Sequence, residues 1–123
     1  MIIPLPDTAV VHRIGGADVP NLRLSAADLT AVPPGLSVLI GGTPQEAANQ
    51  MRAVFGTRKW IRLASRVGIG TVAAIRAAGF DVIPVPTPNL PTHGRIVHTN
   101  GAAGFTDANL AVLAGVFFLT TGC

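Results

Sequence analysis

The chain is poor in charged residues, in cysteine and in tyrosine. Only 12% of its 123 residues are charged, whereas 49% are hydrophobic. The charged fraction of a typical globular protein is roughly 25%. This composition excludes intrinsic disorder and predicts a packed core with apolar surface left over. We therefore expect a homo-oligomer, or a cognate protein partner that covers the surplus apolar surface.

The chain also lacks the features of secreted and membrane proteins. Cys123 is the single cysteine, so no internal disulfide framework argues for secretion. No apolar run approaches the roughly 20 residues that a membrane-spanning helix needs. Residues 1–4 lack the basic segment and the long apolar run of a signal peptide. We expect a cytoplasmic protein with no membrane contact.

Several motifs of established chemistry are missing as well. No glycine-rich phosphate loop and no Gly-x-Ser-x-Gly elbow is present. The histidines have no neighbouring carboxylates and cysteine is not paired, so we expect neither a metal site nor a cofactor. Glu46 is the only glutamate, and its place in a capping box argues against a glycosidase-type carboxylate pair.

Proline and glycine divide the chain into short elements. The clearest is a helix that begins with the capping box Thr43-Pro44-Gln45-Glu46 and ends at Gly56. Further helices are predicted at 71–78 and 108–118. Strands are predicted at 10–14, 36–40, 60–63, 80–85 and 95–98, with a further short strand at 22–24. Residues 67–71 are predicted to form a loop.

The alternation of strands and helices from Leu36 onward permits either parallel α/β units or a mixed α+β sheet. The many short strands bounded by proline favour the second. Pro84, Pro86 and Pro88 place the strand at 80–85 at a sheet edge. We predict an α+β fold in a single domain, 1–123, with a mixed sheet of about five short strands and two to three helices.

Residues 91–107 hold the densest polar chemistry. If residues 95–98 are extended, Arg95 points to one face and His98 to the other, and His93 joins the Arg95 face through Gly94. An imidazole and a guanidinium are what a metal-independent ribonuclease needs. His93, Arg95 and His98 are therefore the catalytic candidates, with Gly94 leaving room for a phosphate. The alternative is that each histidine is a hydrogen-bonded structural side chain.

A stretch without acidic residues runs from Glu46 to Asp81. Such a basic interval indicates a polyanion partner, here RNA or a nucleotide. The alternative is a solvated face without a ligand. The candidate nucleic-acid-binding residues are Arg58, Lys59, Arg62 and Arg66.

Residues 91–98 and 104–110, and also residues 33–38, resemble segments of small bacterial α/β domains found in toxin or effector settings. The resemblance implies a small effector-type enzyme, which we expect to act on RNA or a nucleotide. The main alternative is a non-catalytic module that binds a partner protein.

The segments Val11-His12-Arg13-Ile14 and Leu36-Ser37-Val38 are similar to the first two strand motifs of ADP-ribosyltransferases. Those enzymes use a histidine or arginine and then a serine on successive core strands. The similarity implies that Arg13 and Ser37 bind NAD as a cofactor. The chain departs from this pattern because no glutamate stands near residues 93–107 and no tyrosine is present to stack on nicotinamide.

Overall fold

The computed structural model describes residues 5–56 and 66–120, which form one antiparallel sheet with helices packed against it. The strands are β1 (Val10–Ile14), β2 (Leu36–Ile40), β3 (Val67–Thr71), β4 (Phe80–Pro84), β5 (His93–His98) and β6 (Phe118–Thr120). The helices are α1 (Val19–Leu22), α2 (Ala26–Thr30), α3 (Pro44–Phe55), α4 (Val72–Ala77) and α5 (Asp107–Ala114), with a 3-10 helix at Gly101–Gly104. The predicted α+β class is confirmed.

The strand order is β4-β5-β2-β1-β3-β6, and each neighbouring pair is antiparallel. The described sheet thus has one strand more than predicted and no parallel pair. The proline-bounded strand β4 lies at one edge, as its prolines predicted. The other edge is β6, a strand that the sequence pattern did not indicate.

Three predicted elements differ from the structure. Residues 67–71 are not a loop but the inner strand β3. Residues 22–24 are not a strand, because α1 ends at Leu22. The last helix ends at Ala114 and not at residue 118. The strand predicted at 60–63 lies outside the described residues.

Gly68 and Gly70 explain why β3 was missed. A Cβ added at Gly68 would lie 2.9 Å from the Cβ of Ala17, and one at Gly70 would lie 3.0 Å from Cγ1 of Val116. Glycine is normally rare inside strands, and it stands here because a neighbouring segment packs directly onto the strand backbone.

The hydrophobic core joins one face of the sheet to helices α1, α4 and α5. Its buried members are Val11, Leu22, Leu36, Val38, Val72, Ile75, Phe80, Val82, Ile96, Leu110 and Leu113. Because side chains alternate along a strand, the residues between these, such as His12 and Leu39, point to the opposite face. Helix α3 covers the β1 and β3 part of that second face. Among the described helices, none combines the length and the apolar character that crossing a bilayer requires.

Thr43 caps α3 as predicted. Its side chain accepts from the backbone N–H of Glu46 at 3.1 Å, and the Glu46 carboxylate accepts from the N–H of Thr43 at 3.1 Å. We expect Thr43→Ala to lower the free energy of unfolding by about 1 kcal/mol, the usual effect of a lost cap. Urea denaturation measures this, and Thr43→Ser, which keeps the hydroxyl, is the control. An unchanged midpoint in Thr43→Ala would contradict the capping role.

Candidate functional site

A pocket of about 140 Å³ opens where β1 and β2 separate. Strand β1 pairs with β2 only at Val11 and His12, whereas its pairing with β3 continues to Ile14. The gap between the two strands after His12 is the site of the pocket. Its lining residues are His12, Arg13, Ile14, Ser37, Val38, Leu39, Met51, Leu90 and His93. Most of this lining is apolar and a few polar groups converge on it, as is usual in ligand sites.

Arg13 bridges the gap between the two strands. Its Nη1 donates to the carbonyl oxygen of Ser37 at 2.7 Å, where a ladder hydrogen bond between β1 and β2 would otherwise stand. Its Nε and Nη2 donate to the side-chain and main-chain oxygens of Asn21 at 3.1 and 2.8 Å. The guanidinium is therefore held in one orientation by three hydrogen bonds, and it places a fixed positive charge at the pocket.

Burial lowers the pKa of Arg13, and the nearby carboxylate of Asp28 offsets part of that effect. An arginine stays protonated in folded proteins even when its pKa falls. The pocket thus carries a charge that is poorly solvated. An anionic group of a ligand would gain more from such a charge than from one in water.

Ser37 and His93 form a hydrogen-bonded pair in the same pocket. In the β2–β5 register, Ser37 stands opposite Arg95 and Leu39 stands opposite His93. Ser37 and His93 are therefore diagonal neighbours on one face, a relation that a long side chain can span. The distance between Ser37 Oγ and His93 Nε2 is 3.2 Å.

The other ring nitrogen decides the direction of this hydrogen bond. His93 Nδ1 lies 2.9 Å from the carbonyl oxygen of Val85, which can only accept. In the neutral ring the hydrogen is therefore on Nδ1, and Nε2 accepts from the Ser37 hydroxyl. The backbone N–H of Val85 in turn donates to the carbonyl of His93, which fixes the two residues against each other. A hydroxyl, a base and a group that orients the base are the parts of an activated nucleophile.

His12 is the other histidine of the pocket, and it is 1% exposed. His12 and Arg13 are neighbours on β1, and alternation in an unbroken sheet would place them on opposite faces. Both line the pocket, because the gap between β1 and β2 is open to side chains from either face.

Arg95 shares the face of His93, as predicted, but it does not belong to the pocket lining. Its Nη1 donates to the carbonyl oxygen of Gly35 at 2.8 Å and lies 3.4 Å from Oδ1 of Asp28. This side chain ties the loop before β2 to α2. The structure does not bring it to an anion site shared with His93.

His98 lies on the opposite face of β5, apart from His93 and Arg95. Its ring meets Phe80 edge-on, with 5.0 Å between the ring centroids. Its Nδ1 accepts from the backbone N–H of Asn100 at 3.0 Å, and the ring packs over Gly104, where a Cβ would collide with it. These contacts hold the ring against Phe80 and Gly104, and His98 is not part of the pocket lining.

Gly94 does not open a path to an anion either. It faces Ile40, and a Cβ there would collide with that side chain and lie 2.8 Å from the carbonyl oxygen of Ile83. We expect Gly94→Ala to lower the free energy of unfolding by about 1–3 kcal/mol, as overpacked cores do. Gly115→Ala is the control, because its nearest atom, the Val112 carbonyl oxygen, is at 3.4 Å. Equal denaturation midpoints for the two variants would contradict this role.

The basic interval is described only in part. The candidate nucleic-acid-binding residues Arg58, Lys59 and Arg62 lie outside the described residues. Arg66 is exposed, and its carbonyl oxygen accepts from the backbone N–H of Gly15 at 2.8 Å.

Sequence reasoning missed Val85 and Asn21, the residues that orient His93 and Arg13. Both act largely through backbone oxygens, which no residue type reveals. A signal for Val85 did exist, because a proline stands on each side of it and proline makes the backbone rigid. A rigid backbone holds the carbonyl oxygen of Val85 against the imidazole of His93.

Within residues 5–56 and 66–120, histidine, aspartate and glutamate side chains form no group of three that could hold a metal ion. Comparisons of the chain with protein-family models, with curated proteins and with solved structures gave no match.

Proposed function

We propose that this chain is a small effector-type enzyme that acts on RNA or on a nucleotide, with Ser37 and His93 as its reactive pair. The observation that carries the proposal is the 3.2 Å hydrogen bond from Ser37 Oγ to an imidazole whose other nitrogen is held by Val85. The pair lies in a pocket with the fixed charge of Arg13. RNA and nucleotides occur in the cytoplasm, which is the location that we propose for the protein.

The reaction follows from the direction of that hydrogen bond. As Ser37 Oγ attacks an electrophilic centre of the nucleotide, its proton passes to His93 Nε2. The bond to the leaving group breaks, and Nε2 returns the proton to the leaving oxygen or nitrogen. Water then attacks the covalent intermediate and Nε2 accepts its proton. As the bond to Ser37 Oγ breaks, Nε2 gives that proton to Oγ, which restores the hydroxyl and the neutral imidazole. Arg13 offsets negative charge on the substrate throughout.

The roles differ from those predicted from the sequence alone. His93 remains the acid–base residue, and Arg13 takes the place that Arg95 was expected to fill. Ser37, expected only as an NAD-binding residue, becomes the nucleophile. His98 has no part in the proposal, since it lies on the other face of β5.

The test is a substrate panel given to the full chain. Single-stranded RNA, the common nucleoside triphosphates and NAD are incubated with the protein and with Ser37→Ala, and products are separated by chromatography. We expect one class to be consumed by the protein and not by the variant. The proposed enzymatic activity would be refuted if the protein consumed none of these substrates, or if the protein and Ser37→Ala consumed them equally.

An ADP-ribosyltransferase-like activity is the second candidate. The observation that favours it is the 2.7 Å hydrogen bond between Arg13 and the Ser37 main chain, because these are the two residues that the family resemblance implies. In this case NAD is the cofactor, and the NAD arm of the panel releases nicotinamide. The absence of a glutamate near residues 93–107 means that His93 would have to act as the base.

If the substrate is RNA, we expect the basic interval to attract it through its positive charge. Phosphate contacts by Arg58, Lys59, Arg62 and Arg66 would release counterions, so binding would weaken steeply as salt concentration rises. A fluorescent single-stranded RNA titrated at low and at moderate salt tests this. Absence of binding at low salt would exclude RNA and leave the nucleotide.

A non-catalytic interaction module is the remaining hypothesis, and exposed apolar side chains favour it. Val112, Phe118 and Leu119 are 57%, 78% and 59% exposed. Phe118 and Leu119 belong to the edge strand β6, and exposed edges invite pairing with another chain.

We expect this surface to bury itself in a homo-oligomer, with Val116, Phe117, Phe118 and Leu119 at or near the contact. Light scattering under reducing conditions measures the mass without cross-linking through Cys123. We expect Phe118→Asp to shift the mass to that of a monomer, because a charge in an apolar contact is costly. A monomeric wild-type chain at high concentration would contradict the expectation.

A further inference from the structure

His12 is the polar side chain of the pocket that the reaction proposed above leaves unused. It is 1% exposed, and neither ring nitrogen makes a well-formed hydrogen bond among the described residues, although the backbone of Gly41 and Leu39 lies near the ring. The large majority of buried polar groups in folded proteins are paired. Because His12 lines the pocket, a bound ligand can supply the missing hydrogen bond.

The register of the sheet gives the spacing of the polar groups in the pocket. His12 stands opposite Leu39 on β2, and Leu39 stands opposite His93 on β5. Residues directly opposite each other point to the same face, and neighbouring strands lie about 4.8 Å apart. The two histidines are thus separated by two strand spacings, about 10 Å, with Leu39 between them. The pocket has an apolar floor and a polar group at each end.

The size of the pocket matches one ring. An apolar cavity of about 150 Å³ is known to take a benzene molecule. The present pocket measures about 140 Å³, and the apolar side chains of Val38, Leu39, Met51 and Leu90 contribute to its walls. Apolar walls suit the faces of a flat ring. They do not suit a phosphate, which has no apolar surface to bury.

The charge state of His12 limits which polar groups the edge of a bound ring can carry. Burial lowers the pKa of His12 below its ordinary value of 6.5, and the backbone of Gly41 and Leu39 and the charge of Glu46 raise it only in part. The ring is therefore neutral at neutral pH. A neutral imidazole offers one donor and one acceptor, which match an amide or an amino-substituted ring edge.

We propose that the pocket binds a single heteroaromatic ring, with its polar edge hydrogen-bonded to His12 and its opposite side toward Ser37 and His93. The ring is the base or the nicotinamide of the substrate, and in that respect the inference rests on the proposed function. His12 then selects among rings and takes no part in bond breaking.

Matched pairs of rings test the inference on the full-length wild-type chain. Adenine is compared with purine, and nicotinamide with pyridine, by calorimetry or ligand-detected NMR. In at least one pair we expect the ring with the polar edge to bind at least tenfold more tightly than its bare partner. The adenine and nicotinamide arms separate a nucleobase from NAD as the source of the ring.

His12→Leu should bring the difference within that pair below twofold, because it removes the hydrogen bond and keeps an apolar wall. His98→Ala, on the other face of the sheet, should leave the difference unchanged. If His12→Leu does not fold, the ring pairs on the wild-type chain decide alone. Equal binding within both pairs, or binding of inorganic phosphate without any ring, would overturn the inference.

The same data keep this inference apart from the enzyme proposal. Ring selectivity that depends on His12, in a chain that consumes no member of the substrate panel, refutes the enzyme and supports the ring site. Consumption of a substrate without ring selectivity supports the enzyme and refutes the ring site.

Discussion

His93→Ala is expected to lower substrate turnover by at least about 100-fold, because a positioned general base contributes roughly 10²–10⁴-fold to a reaction rate. The loss should appear in kcat, since Nε2 acts on the Ser37 proton as the reaction proceeds and not on binding alone. Ser37→Ala should lose a similar factor, and the double variant should lose little more. Residues that act as one unit are strongly non-additive.

The matched control for this prediction is His98→Ala. His98 belongs to the same strand but points to the other face, against Phe80 and Gly104. Its replacement should lower stability and leave kcat within about twofold of wild type, with circular dichroism to confirm that each variant is folded. If His98→Ala lost as much activity as His93→Ala, the assignment of the base would be wrong.

Arg13→Leu is expected to lower the free energy of unfolding by about 3 kcal/mol. The change leaves three oxygens without their donor: the carbonyl oxygen of Ser37 and the main-chain and side-chain oxygens of Asn21. A buried acceptor that loses its partner costs about 1–3 kcal/mol, and partial access to water keeps the sum at the low end. Urea denaturation measures the loss.

Arg23→Leu is the control for the arginine series. Arg23 pairs with Asp107 at 3.2 Å, but its side chain is 56% exposed. Exposed ion pairs contribute about 0–1 kcal/mol, so this variant should stay close to wild type. Equal losses in Arg13→Leu and Arg23→Leu would show that Arg13 does not hold β1 and β2 together at the pocket.

Local signals in the sequence were enough to predict several elements. The capping box at Thr43 and Glu46 fixed the start of α3, because both of its hydrogen bonds form within one turn. The same holds for the faces of β5: alternation alone placed His93 and Arg95 together and His98 opposite. These predictions succeeded because they depend on residues that are near one another in the chain.

The features that the sequence did not reveal depend on long-range packing. The glycines of β3 predicted a loop, but they are needed because two distant segments, at Ala17 and at Val116, pack onto the strand backbone. Ser37 and His93 are 56 residues apart in the chain. Their hydrogen bond could be predicted only from the register between β2 and β5, which the sequence does not reveal. The gap that lets His12 and Arg13 both reach the pocket exists because β1 and β2 stop pairing, which no pattern within β1 reveals.

The most direct measurement of the central claim is an NMR titration of the histidine ring protons with a mononucleotide and with NAD. The chain has only three histidines, so the signals can be assigned with single variants. We predict that the ring protons of His12 and His93 shift on ligand addition and that those of His98 stay in place. Shifts at His98 alone, or no shift at any ring up to millimolar ligand, would contradict the assignment of this pocket as the site.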